Sequence, residues 1–209
     1  MIAAYHLLWT IYGYWLPNDP RGSVSQRIRN DSIADLGPVH FERKREQPSR
    51  KELRDFQKES AKVLRFELRK LSVDELAGVA TAFAEVIRAR TYTCYACAIM
   101  PDHVHLLIRK HRDSAEEMIA ELQRASRLAV LDVGERPIEH PVWGGRGWKV
   151  FLRTSDDIHR VVRYIECNPE KSGLPPQRWS FASEYDGWLP GQVSTQRPAN
   201  PQAKRRPAR

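Results

Sequence analysis

Apolar positions recur along this chain with two periods, and the switch between them outlines its elements. From Ala3 to Tyr14 the residues are mostly aromatic, aliphatic or β-branched, which suits a pleated surface and predicts a first strand ending at Gly13 or soon after. The stretch "WLPNDPRGSVSQ" is dense in turn formers, and the polar run that follows to about Ser49 predicts a long irregular connection. The period then becomes helical. Ser49 with Glu52, and Ser72 with Glu75, have the spacing of capping boxes, in which the serine side chain and the glutamate satisfy free N–H groups of the first turn. Helices are therefore predicted over 49–68, with Leu53, Phe56, Val63, Leu64 and Leu68 inward, and over 72–90, with Leu76, Val79, Phe83, Val86 and Ile87 inward.

Strand composition returns over Thr91–Met100. Pro101 and Asp102 make a short turn, and His103–Lys110 forms the returning arm of a hairpin. A helix is predicted over 114–133 on Met118, Ile119, Leu122, Leu128 and Leu131. A glycine-rich turn leads into a strand over Trp148–Arg153, and a helix runs from Ser155, as its cap, to about Asn168, where Pro169 stops it. Strand, two helices, hairpin, helix, strand, helix is the order of an α+β fold with an antiparallel sheet that buries one face on helices. The 209 residues suit one domain over 1–190, with 15–50 as a long polar insertion, and a basic, proline-rich tail over 191–209 that is expected to be disordered.

Charge narrows the partners. A net charge of +8 makes a polyanion the first one to consider, because lysine and arginine gain affinity by displacing the counterions condensed on a phosphate backbone. The chain has no apolar run of about eighteen residues, and its opening lacks the basic start of a secretory signal, so a soluble cytoplasmic protein without a membrane partner is expected. The three cysteines do not suggest a disulfide framework. Cys94 and Cys97 match C-x-x-C, but their odd separation on a strand predicts opposite faces, so they read as buried thiols.

"AIMPDHVHLLIRK" carries the first candidate chemistry. On a strand His103 and His105 share a face while Val104, Leu106 and Ile108 take the other. Two neutral imidazoles side by side can chelate one divalent ion; two ordinary core or surface histidines are the alternative. On the following helix Ile158, Val161, Val162 and Ile165 make the core stripe, and Tyr164 and Asn168, four apart, stack on an adjoining face with Arg160 one turn earlier. Singly, Tyr164 reads as a rim aromatic and Asn168 as a helix-end residue before Pro169.

Together these motifs resemble the single-tyrosine HUH transposases, and most closely the REP-associated tyrosine transposases. "MPDHVHLLI" resembles the family's histidine strand, with Asp102 where asparagine is more usual. "YIECNPEKSGL" resembles its tyrosine helix, with Glu170 and Ser172 as departures. The intervening "VWGGRGWKVFLRTSDDIHRVVRYI", the opening "YHLLWTIYG" and the later "RWSFASEY" are similar to its other elements, whereas the polar segment Leu16–Ser49 is longer than the family's usual connection.

The resemblance implies a ferredoxin-like sheet of the HUH endonuclease type with helices mainly on one face. It implies Tyr164 as nucleophile, and His103, His105 and Asn168 as ligands of Mg²⁺ or Mn²⁺. Attack on DNA would leave a 5′-phosphotyrosine and a free 3′-hydroxyl, which makes the activity strand transfer at hairpin or palindromic repeat DNA. Arg146, Lys149, Arg153, Arg160 and Arg163 are candidate phosphate contacts, the tail from Arg197 to Arg209 a nonspecific one, and Trp143, Trp148, Trp179 and Tyr12 candidate stacking platforms. When bound to DNA such a protein would sit on the nucleoid; monomer and homodimer both remain open. A repeat-DNA-binding protein without catalysis is the alternative, and a zinc hydrolase a third reading, for which His6, His111, His140 and His159 offer no telling spacing.

Overall fold

The computed structural model describes residues 1–23, 25–28, 31–42 and 45–191. Four strands, β1 (Ala4–Thr10), β2 (Cys94–Ile99), β3 (His103–Arg109) and β4 (Trp148–Leu152), form one sheet in the order β2-β3-β1-β4. Every neighbouring pair is antiparallel. Two long helices, α3 (Val73–Arg90) and α4 (Ala115–Asp132), connect β1 to β2 and β3 to β4, which gives the ferredoxin-like β-α-β-β-α-β order. They pack on each other and on the face made by Tyr5, Leu7, Trp9, Val104, Leu106 and Ile108. A shorter helix, α5 (Ser155–Glu166), lies on the opposite face, where Ile158 and Ile165 meet Ala4, Ala98, Leu107 and Leu152. α6 (Asn168–Lys171) follows directly.

The insertion between β1 and α3 holds two further helices, α1 (Asp31–Ala34) and α2 (Arg50–Val63). Both predicted capping boxes are formed, Ser49 with Glu52 on α2 and Ser72 with Glu75 on α3. Helix α2 stops at Val63, short of the predicted Leu68. The insertion is tied to the core through Tyr12, whose ring meets Phe66 and His140 edge-on, with centroids 5.9 and 5.5 Å away. Residues 192–209, which include almost all of the predicted tail, lie outside the described residues. Among the described residues no helix is long and apolar enough to cross a membrane.

Four further local expectations are corrected. Strand β1 ends at Thr10 rather than near Gly13, because Ile11 is already drawn into a bridge with Trp143. Cys94 and Cys97 share a face: a bulge sets Tyr95 and Ala96 both opposite Leu107, so the alternation slips by one residue and both thiols enter the α3/α4 core. Leu128 is exposed, and Val130 is the buried residue of that turn. The cap of α5 is Thr154, whose hydroxyl accepts from the N–H of Asp157, and Ser155 is the first helical residue.

The C-terminal segment covers one edge of the sheet. Gln177 both accepts from the N–H and donates to the carbonyl of Ile99, each at 2.8 Å, and the Trp179 indole donates to the Cys97 carbonyl. The N–H of Ser183 donates to the Cys94 carbonyl, so the backbone of β2 is satisfied on its outer side and β4 is the other edge strand.

Candidate functional site

The hairpin turn sets the first histidine. Met100 N–H donates to the His103 carbonyl at 2.8 Å, closing a two-residue turn, and the carbonyls of Pro101 and Asp102 accept from Leu71 and Ile11. His103 therefore starts β3 against Thr10, and His105 pairs with Leu8. Their side chains share the α5 face, with ring centroids 5.0 Å apart. Val104, Leu106 and Ile108, on the other face, are fully buried and fix the strand.

Each histidine has one ring nitrogen occupied. Nδ1 of His103 lies 2.6 Å from the Asp102 carboxylate, and Nδ1 of His105 lies 2.9 Å from Nε2 of His6 on β1. Burial raises the Asp102 carboxyl, but the His103 bond and charge, with Lys70 beyond, outweigh it and hold the group below its usual range. His105 is pushed well below the ordinary imidazole value, first by burial and then by His103 and His6, and burial alone brings His6 down to about 4. Both are neutral at neutral pH, the form in which an imidazole ligates a metal. With Nδ1 engaged, Nε2 is the nitrogen of each ring left for a ligand, and a carboxylate behind the ring, as Asp102 stands to His103, is a usual way a ligating histidine is held.

Tyr164 comes from α5, on the turn that crosses β3. Its ring stands perpendicular to that of His105, with centroids 5.4 Å apart, and 6.1 Å from that of His6. The residue is 45 % exposed, so its side chain is within reach of a large substrate. The ammonium of Lys171, on α6, lies 5.6 Å from the centre of the Tyr164 ring. Asn168 opens α6 one turn after Tyr164 and is half-buried, and its Nδ2 is a buried polar atom without a partner. Rotating that amide would place its oxygen there instead, so an orphaned polar end stands at the position from which a third ligand was expected.

Among the described residues no group of three or more His, Cys, Asp or Glu side chains is arranged to hold a metal ion. Two imidazoles and an amide are a different donor set, of a kind that suits a divalent cation: His103 and His105 adjoin on one face, and Asn168 offers an unpartnered amide end. His6 is the residue that sequence reasoning passed over. It stands almost a hundred positions from His105, and only the β1–β3 register joins them.

The arginines are spread more widely. Arg146, Arg153, Arg160 and Arg163 are exposed, and Arg160 is bonded to Asp157 at 2.6 Å. Lys149 alternates with Trp148 on β4 and so faces away from the histidines, where it pairs with Glu116 of α4.

No family model and no curated protein matches the sequence. Among solved structures the chain is similar to a REP-associated tyrosine transposase bound to a REP hairpin, at 14 % identity and a TM-score of 0.46, over 83 % of this chain and 70 % of that one. It is also similar to a Deinococcus radiodurans R1 protein assigned as a transposase, at 13 % identity and a TM-score of 0.39, over 79 % of this chain and 90 % of that one. The first bears the family name that the two motifs suggested. Likeness at this level assigns no activity; the α+β fold rests on the strand order and register described above.

Proposed function

We propose that the chain is a metal-dependent single-strand DNA endonuclease and strand transferase of the transposase type, acting at hairpin or palindromic repeat DNA. The observation that carries the reading is the Tyr164 ring standing 5.4 Å from His105 while both Nδ1 atoms of the H-x-H pair are engaged elsewhere. A candidate nucleophile, exposed, and a candidate ligand pair from distant parts of the chain then adjoin. The net charge of +8 suits a phosphate backbone.

His103, His105 and Asn168 would hold Mg²⁺ or Mn²⁺, and such an ion neutralises charge on the non-bridging oxygens of a phosphodiester. The chain's own part is to position and attack. Tyr164 Oη forms a bond to phosphorus as the bond to the 3′ oxygen breaks. One proton leaves the phenol and one is taken up by the departing oxygen, which gives a 5′-phosphotyrosine and a 3′-hydroxyl. Because the phosphodiester is exchanged rather than hydrolysed, an incoming 3′-hydroxyl can reverse the step and free Tyr164 without ATP.

Incubation with single-stranded hairpin DNA and Mg²⁺ or Mn²⁺ tests this. A protein–DNA adduct that survives a denaturing gel and is absent from Tyr164→Phe supports the reading. Binding without cutting by the unaltered chain, across both metals, would favour a repeat-DNA-binding protein instead, and cutting without an adduct would favour a hydrolase.

A further inference from the structure

The histidine face of the sheet is only half covered. Helix α5 packs on β2 and β3 and reaches Ala4 and Leu152 at one end of β1 and β4, while Trp148 and Val150 on β4 stay exposed beside it. Strand register places Ala98, His105, Leu8 and Trp148 in one row across all four strands, with Leu107, His6 and Val150 in the next. Leu152 on β4 is buried beside Ile158 and Ile165 of α5, so Trp148 and Val150, at even steps from it, face the same side. Phe151, between them, meets Tyr5 on the opposite face. Trp148 is 42 % exposed and Val150 38 %, and Leu8 between the histidines and the tryptophan is half-buried.

The other aromatic candidates are engaged. The Trp143 indole is buried and donates to Gln123 and Ser126, Trp179 donates to Cys97 and stacks on Phe181, and Tyr12 lies against Phe66 and His140. Trp148 alone among the four combines a large open ring with a place in the row of His105.

We propose that Trp148, with Leu8 and Val150 as an apolar floor, is the platform on which an unpaired base stacks when the neighbouring phosphate lies beside Tyr164 and the histidine pair. This rests on the single-strand reading above. Strands β3 and β4 are two spacings apart, roughly 10 Å, which suits a phosphate at one end and the base of an adjacent nucleotide at the other. Aromatic faces next to a phosphate-binding groove are the usual platform for single strands, because every base has a face to stack. Continuity with the histidine site favours a nucleotide over a second copy of the chain. So does charge: exposed Arg146 and Arg153 bracket β4, and two copies meeting there would bring like charges together.

The test compares the full chain with Trp148→Leu and Trp148→Phe, using anisotropy of a labelled short oligothymidylate and of an abasic oligonucleotide of equal length. Expected are tighter binding of the oligothymidylate than of the abasic strand, a loss of roughly 5- to 150-fold for oligothymidylate in Trp148→Leu, and near-parent affinity in Trp148→Phe. Abasic binding should be the same in all three. Equal oligothymidylate affinity for the parent and a folded Trp148→Leu, as judged by circular dichroism, overturns the platform. If that occurs while the Tyr164-dependent adduct still forms, the platform falls and the nuclease reading stands; if the parent binds no oligothymidylate, both fall. Sedimentation showing a dimer that Trp148→Leu dissociates, with oligothymidylate affinity unaltered, would assign the face to self-association and also overturn the proposal.

Discussion

His6 Nε2 lies 2.9 Å from His105 Nδ1, so two strands distant in sequence fix one imidazole between them. The bond engages Nδ1 and leaves Nε2 as the other ring nitrogen of His105. Replacing His6 by alanine removes the partner and lets the ring turn or change tautomer. The rate of adduct formation should then fall by roughly 10- to 100-fold, as for other residues that orient a ligating ring, and His6→Gln, which keeps a hydrogen-bonding group, should recover part of it. Nitrogen NMR of His105 gives a readout independent of activity: its two ring shifts should change in His6→Ala and stay near parent values in His6→Gln. Unchanged shifts in His6→Ala would remove His6 from the site's machinery.

The thiols offer a test of the bulge. Burial raises Cys94 to about 12 and Cys97 well above its ordinary value, whereas Cys167, after the last turn of α5, is exposed. A thiol-reactive chromophore should therefore modify one cysteine quickly in the native chain and three only in denaturant. Fast modification of Cys97 would contradict its place in the α3/α4 core.

Much of the architecture was legible because it depends on short-range signals. Serine and glutamate three apart marked α2 and α3, and alternation about His103 separated Val104, Leu106 and Ile108 from the histidines, as the structure has them. Cys94 and Cys97 were misread because a bulge is one extra residue and leaves no trace in composition. Tyr164 and the H-x-H pair could be singled out by motif. His6 could not, since its only link to them is strand pairing. The same limit hid the difference between Trp148 and Lys149, adjacent in sequence and on opposite faces of the sheet.

Stability at low pH should depend on a buried ion pair. Arg136 donates to both oxygens of Glu75, at 2.5 and 2.9 Å, and each side chain is 1 % exposed. Burial raises the Glu75 carboxyl, but the Arg136 bonds, the Ser72 N–H and the charges of Arg136 and Arg69 bring it below its ordinary value. A depressed carboxyl contributes stability above its unfolded value, about 4.3, and that contribution is lost as the pH falls through the folded value. Denaturant unfolding of Glu75→Gln should accordingly show a flatter acid limb than the parent. Arg136→Met, which leaves the carboxylate buried without its cation, should cost about 3–5 kcal/mol at neutral pH, with the deficit shrinking as Glu75 takes up a proton.

The atom bonded to DNA decides whether Tyr164 is the nucleophile. After reaction with single-stranded hairpin DNA and Mn²⁺, the adduct is digested with nuclease and protease and the modified peptide is fragmented in a mass spectrometer. Expected is a nucleotide attached through its 5′-phosphate to Tyr164, from a chain whose substitution Tyr164→Phe alters stability by no more than about 0.5 kcal/mol, given the exposure of that residue. A nucleotide attached to any other residue, or an adduct that persists in Tyr164→Phe, would contradict it.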